Sequence, residues 1–171
     1  MIQRCIVGDS FYQKKLYKTY IQAMYNRCVR MCSDTEVAKD VVQESFIDVF
    51  ANLSQFRGQS TLGAWIKTIV IRKAVAAIKK NQKMEMFPLE GLEFIEDSNE
   101  NTIELDANKI HGAIKKLPLG ARNVLTLHLL EGYKHHEIAS ILEISESTSK
   151  SQYQRAKRLL KLELKEIKEY G

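Results

Sequence analysis

Apolar residues recur at three- and four-residue steps along most of this 171-residue chain. The pattern is broken by one stretch, residues 85–106, that holds 8 acidic side chains and no basic one. A repeat of that period lines one face of an α-helix with apolar side chains, so the chain must build helices that cover one another's stripes. With only 2 Pro and 8 Gly, it has few of the breakers that a sandwich or barrel needs. The predicted fold class is all-α, with two small helical modules joined by an acidic linker and a helix-turn-helix as the second module. The modules are placed at 1–84 and 107–171.

The periods locate the elements. Leu16, Tyr17, Tyr20, Met24, Cys28 and Met31 form one helical face between Phe11 and Cys32. Ser33-Asp-Thr-Glu36 has the spacing of a capping box and announces a second helix through Val37, Val41, Val42, Phe46, Val49, Phe50 and Leu53. A break at Gln55-Phe-Arg-Gly58 precedes a third helix, which starts near Ser60 or Thr61, carries Leu62, Trp65, Ile66, Ile69 and Val70, and ends in a basic tail. Beyond the acidic stretch, Ile110, Ile114 and Leu117 form a short helix closed by Pro118, since the residue before proline avoids the α region. The next helix runs through Val124, Leu125, His128 and Leu129 to Gly132, a glycine placed for a C-cap. HHEIASIL (135–142), a turn at Glu143-Ile144 and a long helix capped by Ser145 complete a helix-turn-helix.

Charge divides along the same lines. Residues 1–84 carry 14 Lys+Arg against 6 Asp+Glu and residues 107–171 carry 12 against 7, so the net +5 averages two cationic modules with an anionic tether. No run of 18 apolar residues is present and the N-terminus lacks a signal-peptide core, so a cytoplasmic protein without membrane insertion is expected. Cys5, Cys28 and Cys32 are too few and too oddly spaced for a disulfide framework and are expected as free thiols. Cys28 and Cys32, one turn apart, lie on an apolar stripe, where packing outweighs metal binding. His111, His128, His135 and His136 show no metalloprotease spacing, and neither a Gly-rich phosphate loop nor a nucleophile elbow occurs. The reading calls for no enzyme activity, cofactor or metal.

Two cationic surfaces remain as candidates. In a helix-turn-helix the second helix enters the major groove. Here Ser149, Tyr153, Ala156 and Leu160 form its packing stripe, leaving Ser147, Thr148, Lys150, Ser151, Gln154 and Arg155 facing outward. Small hydroxyls allow close approach, while the amide and the cations meet base acceptors and phosphates. His136, at the start of the preceding helix, and Arg122 are added to this set. The second surface is the basic tail of the first module, with Lys67, Arg72, Lys73, Lys79, Lys80 and Lys83. Solvated lysines that complement a helix C-terminus account for such a tail equally well.

The motifs together resemble a bacterial RNA polymerase sigma factor of the small extracytoplasmic-function type. Asp40-VVQES-Phe46, FRG at 56–58 and Trp65-IKTI resemble its second region. Leu117-Pro118, Arg122, Gly132-Tyr133, EIASIL and ISESTSKSQYQRAK at 144–157 resemble its fourth. The resemblance implies that Asp40, Gln43, Glu44, Phe46 and Phe50 dock on core RNA polymerase. It further implies that Arg57, Ser60, Thr61, Trp65, Lys67, Arg72, Lys73, Lys79 and Lys80 engage a melted −10 element of promoter DNA, with extruded bases held in pockets and phosphates by cations. The helix-turn-helix would read the −35 element, and an anti-sigma factor is implied as a partner. For the acidic linker the resemblance implies a place in the polymerase's RNA path, and a plain solvated tether is the other reading.

The chain departs from the family pattern at several positions. Arg72 and Ala76 stand where the family usually has Asn and Asp, Gly63 and Ala64 replace larger polar residues, and Glu143 takes a turn position often held by Gly. A left-handed conformation at Glu143 would cost about 1 kcal/mol. Two other readings stay open on the sequence. One is a helix-turn-helix regulator whose first bundle senses a signal or dimerises, and the other is a sigma-like polymerase adaptor with impaired promoter melting.

Overall fold

The computed structural model describes residues 1–32, 34–82 and 107–170. The acidic stretch 85–106 lies outside the described residues, as do Ser33 and Lys83. In chain order the helices are α1 (Ile2–Ile6), α2 (Ser10–Met31), α3 (Thr35–Asn52), α4 (Leu62–Gln82), α5 (Ala107–Lys116), α6 (Leu119–Leu125), α7 (His135–Leu142) and α8 (Glu146–Tyr170). A 3-10 turn over Leu53–Gln55 follows α3, and α6 runs on into a π-helical turn over Thr126–Leu130. Among the described residues there is no strand. The five-residue α1 is too short to show a period, so sequence patterning misses it.

Side-chain oxygens set the helix starts. Asp9 Oδ1 accepts from the Phe11 N–H at 3.1 Å, Thr61 Oγ1 from Ala64 at 3.2 Å and Ser145 Oγ from Thr148 at 2.9 Å, each meeting a donor that the first turn leaves unpaired. The capping box expected at Ser33–Glu36 takes another form. Asp34 is the cap, its Oδ1 accepting from the Glu36 N–H at 2.7 Å, and a carboxylate there also suits the positive end of the helix.

Leu16, Met24, Cys28 and Met31 of α2 pack on Ala38, Val42, Phe46 and Val49 of α3 and on Ile66, Val70, Ile71 and Ala74 of α4. Each helix thereby covers the stripes of the other two. Gly63 answers to the same packing, because a Cβ there would stand 3.1 Å from the Tyr20 ring. A second cluster joins Ile114, Leu117, Ala121, Leu125 and Ala156. The two halves also touch, since Val124, Leu127 and Ile138 belong to the first cluster.

Charge closes this seam. The Glu131 carboxylate, only 2% exposed, receives Arg27 Nε at 2.9 Å and Arg30 Nη2 at 3.3 Å, with Lys67 Nζ 3.8 Å away. Lys67 also donates to the Glu131 carbonyl at 3.1 Å and stands 5.0 Å from the centre of the Tyr133 ring. Stripping the cations from such a carboxylate would strand a buried charge, a loss on the order of 3–5 kcal/mol. Lys79 and Glu143 meet at 2.8 Å across the same seam, but Glu143 is 80% exposed and the pair adds little.

Glu143 closes α7 at φ 56° and ψ 46°, the left-handed conformation expected there. Replacing it with Gly removes the backbone penalty together with the exposed ion pair, whereas Glu143→Gln removes the pair alone. In urea titrations the Gly variant should exceed the Gln variant in unfolding free energy by about 1 kcal/mol, and equal stabilities would remove the strain from the account.

Cys5, Cys28 and Cys32 are free thiols, and Cys28 and Cys32 are buried as their stripe predicts; Cys5, for which no stripe is apparent, is buried as well. Burial pushes the Cys28 thiol up to about 12, with Cys32 adding to the rise, and pushes Cys32 up to about 11. The thiolates that attack disulfide reagents are therefore scarce. At pH 8 the native chain should react slowly with an aromatic disulfide reagent and release all three thiols at once in guanidinium. Because burial favours the neutral thiols, this part of the stability is complete below about pH 9 and is lost as pH rises through the native values.

Candidate nucleic-acid and partner interfaces

The helix-turn-helix is α7, the left-handed turn at Glu143 and α8. At its start Glu137 Oε2 accepts from the Lys134 N–H at 2.7 Å. The predicted packing stripe of α8 points inward, with Ser149 and Ala156 fully buried and Tyr153 and Leu160 half-buried. Tyr153 stands edge-on to His128 at 4.6 Å, and His128 stacks on His135 at 4.3 Å. His135 Nδ1 lies 2.9 Å from Ser149 Oγ, which ties α7 to α8. Burial and the neighbouring His128 hold the His135 imidazole below its usual range. The two histidines thus divide, His135 joining the helices while His136 is exposed.

On the outer face of α8, Ser147, Lys150, Ser151 and Gln154 are exposed, and Thr148 and Arg155 half-buried. Ser145 Oγ gathers the Ser147 and Thr148 hydroxyls at 2.8 and 2.7 Å, so the first turn offers a fixed set of small polar groups. Lys150 leans on Glu146 at 2.7 Å, an exposed pair that a phosphate can replace. The face carries small donors at the helix start and cations further along, a layout suited to a groove edge and its flanking phosphates.

Arg122 does not belong to this surface. It is 4% exposed, its Nη1 donates to the Lys115 carbonyl at 3.0 Å, and its charge partly offsets the rise of the Cys32 thiol. Placed between the C-terminal end of α5 and the first module, it binds chain to chain. Sequence order set it beside the helix-turn-helix, but packing turned it inward.

The cations of the first module separate into groups. Arg57, Ser60 and Thr61 are exposed in and beside the segment leading into α4, and Trp65 is half-buried with its ring 5.6 Å from Phe56. Arg72 and Lys80 are also exposed. Lys67 is turned to Glu131 and Lys79 to Glu143, both on the second module. Lys73 meets Asp48 at 2.6 Å and Glu44 at 3.6 Å, and the Asp48 carboxylate raises it above the usual lysine range. It therefore stands on the acidic side of α3, away from the loop that leads into α4.

Helix α3 presents Asp40, Gln43 and Glu44 to solvent together with Ile47, which is 68% exposed. Phe46 is instead 2% exposed and lies in the core against Tyr17 at 4.8 Å, with the half-buried Phe50 at 6.2 Å. The apolar member of the outer face is thus Ile47, which sequence reasoning missed. Its signal was present, since Ile47 is three and four residues from Glu44 and Gln43, the spacing of one helix face.

The chain matches the family model described as Sigma-70 region 2 over residues 16–84 and that described as Sigma-70, region 4 over residues 107–160. It is 26% identical over 143 residues to RNA polymerase sigma factor SigV of Bacillus subtilis, spanning 84% of this chain and 85% of that protein. Likewise it is 28% identical over 174 residues to the RNA polymerase sigma-H factor of Pseudomonas aeruginosa, spanning 94% and 90%, and 25% identical over 173 residues to the ECF RNA polymerase sigma factor SigW of Bacillus subtilis, spanning 94% and 92%. Its fold is similar to that of the sigma factor RpoE solved in complex with the anti-sigma factor NepR from Bartonella quintana. That match has a TM-score of 0.59 at 22% identity, covering 89% of this chain and 96% of that one. CnrH, solved in complex with the cytosolic domain of CnrY, matches at a TM-score of 0.54 and 18% identity, covering 96% and 94%. With both regions in order, and the helix-turn-helix and the Asp40–Glu44 face in place, the chain belongs to the sigma-70 family of RNA polymerase sigma factors and to its extracytoplasmic-function type.

Proposed function

We infer that this sigma factor binds core RNA polymerase and directs it to a class of promoters, the polymerase supplying the chemistry. The observation that carries this reading is the presence, on one chain, of a polar and aliphatic face on α3 and a second cationic module built as a helix-turn-helix. A plain regulator has no use for the first, and the transcription test below separates a sigma factor from a sigma-like adaptor with impaired promoter melting.

We propose Asp40, Gln43, Glu44 and Ile47 as the docking face for polymerase. A partly apolar patch rimmed by acid and amide suits a protein partner, whereas the buried Phe46 supports this face from beneath. Arg57, Ser60, Thr61, Trp65, Arg72 and Lys80 are proposed to meet the melted −10 strand, the Trp65 ring by stacking and the cations by phosphate contact. His136, Ser147, Thr148, Lys150, Ser151, Gln154 and Arg155 are proposed to meet the −35 duplex. Arg122 is left out for its burial, Lys73, Lys67 and Lys79 for their carboxylate partners, and Phe50 for its place beside the buried Phe46. Residues 1–84 and 107–171 are the proposed working units, joined by the acidic tether. An anti-sigma partner and action in the cytoplasm complete the proposal. No helix among the described residues is long and apolar enough to cross a membrane.

Run-off transcription with purified core polymerase and a genomic DNA pool tests the reading, which predicts transcripts that appear only when the chain is added. Core binding without such transcripts would favour an adaptor, and loss of both a plain regulator. In competition for core, Gln43→Ala and Ile47→Ala should each weaken binding while Tm holds, and unchanged competition would remove the α3 face. Arg155→Ala should lower discrimination between −35 sequences by about 1–3 kcal/mol. The same preference in wild type and variant would remove Arg155 from the interface.

A further inference from the structure

The cluster at the seam is unbalanced. Arg27 and Arg30 of α2 and Lys67 of α4 converge on one carboxylate, Glu131, so three cations of the first module face a single negative charge of the second. The guanidinium groups reach different oxygens, Arg27 at Oε2 and Arg30 at Oε1. Arg30 Nε is buried and finds no acceptor among the described residues. The cations are 21–27% exposed while the carboxylate is 2% exposed, which makes Glu131 the inserted group and the cations the walls. Arg27 gives Nη1 to the Ala23 carbonyl at 2.8 Å, so each guanidinium meets the anion through one nitrogen; these two donors, the lysine and the spare Arg30 Nε suit a group with more oxygens than a carboxylate has. A nucleic-acid phosphate is such a group.

We propose that Arg27, Arg30 and Lys67 form a phosphate-binding site of the first module for single-stranded DNA, and that in the closed chain Glu131 occupies it as an internal anion. The proposal rests on reading the chain as a promoter-binding sigma factor. Tyr133, whose ring lies 5.0 Å from Lys67 Nζ, also feels the positive charge of Arg72, so the site adjoins a cation proposed for the melted strand. Because the modules are tethered, the carboxylate competes at high effective concentration without needing high intrinsic affinity. Opening the seam frees both partners together, the cations for the strand and the helix-turn-helix for duplex, so the chain binds promoter DNA weakly until its modules are drawn apart. Tyr133 adds to the closure, its ring lying over Lys67 Nζ.

Anisotropy of a labelled single-stranded oligonucleotide with the full chain at low salt tests this. Glu131→Gln keeps the shape and removes the charge. It should tighten binding about tenfold if the closed form holds about nine-tenths of the population. Glu131→Asp should bind like wild type, and adding Arg27→Ala and Arg30→Ala to Glu131→Gln should abolish the gain. Equal affinity of Glu131→Gln and wild type, or a gain that survives loss of both arginines, would overturn the proposal. A polyglutamate peptide that binds Glu131→Gln as tightly as the oligonucleotide does would overturn the choice of nucleic acid. Should Glu131→Gln fail to fold, a Lys79→Cys, Glu143→Cys chain joined by a short bis-maleimide provides a second measure, the buried native thiols being slow to react. The joined chain should bind the oligonucleotide more weakly than the same chain unjoined, and equal binding would overturn the masking. The assay contains no polymerase, so a failed promoter test would overturn the sigma-factor reading and leave this result untouched.

Discussion

The apolar stripes of α2, α3 and α4 must each face the other two, and that constraint sets the direction of every polar side chain on the first module. With Leu16, Cys28, Phe46, Val49, Ile66 and Val70 inside, the remaining helical angles are assigned. Asp40, Gln43, Glu44 and Ile47 go to solvent on one side, and Arg27, Arg30 and Lys67 to the edge where the second module docks. Losing the Phe46 ring would cost about 3–5 kcal/mol and blur both surfaces, although the residue touches neither partner. A buried aromatic in this position works by holding the register of the face above it.

At the seam, apolar contact and charge play different parts. Val124, Leu127 and Ile138 extend the first core into the second module and supply the area, while the ring of cations around Glu131 sets which arrangement that area adopts. Apolar contact tolerates sliding, but a desolvated carboxylate accepts only positions in which its oxygens are met. Tyr133 and the π turn over Thr126–Leu130 carry this acidic residue to the seam, and Gly132, at φ +79°, lets the chain turn sharply enough to follow. The left-handed Glu143 does the same for the helix-turn-helix, at a cost in backbone energy that a glycine would avoid.

Much of the fold was legible because helix period and capping are local. The α7–α8 unit, its Ser145 cap, the inward Ser149 and Ala156 and the strained turn all follow from residues within a few positions of one another. The burial of Cys28 and Cys32 follows from the stripe on which they lie, whereas that of Cys5 needed the tertiary structure. The misreadings differ in cause. Phe46 and Ile47 are adjacent, and about 100° of helix rotation separates them; the apolar period already put Phe46 inside, whereas its docking role came only from the motif it shares with Gln43 and Glu44. Arg122 looks like a free cation on any helical projection of its own segment, but its partner, the Lys115 carbonyl, comes from another element.

The sequence by itself determined that the chain is helical, where its longer helices run, that its charge is split about an acidic tether, and that its motifs run in the order of a sigma factor's second and fourth regions. These properties depend on residues close in the chain, where spacing alone carries the physics. Tertiary structure alone decided which cations are offered to a ligand and which are spent on the fold, because a charge is satisfied by whatever lies within a few ångströms of it, here a carboxylate 101 residues away in the chain from Arg30.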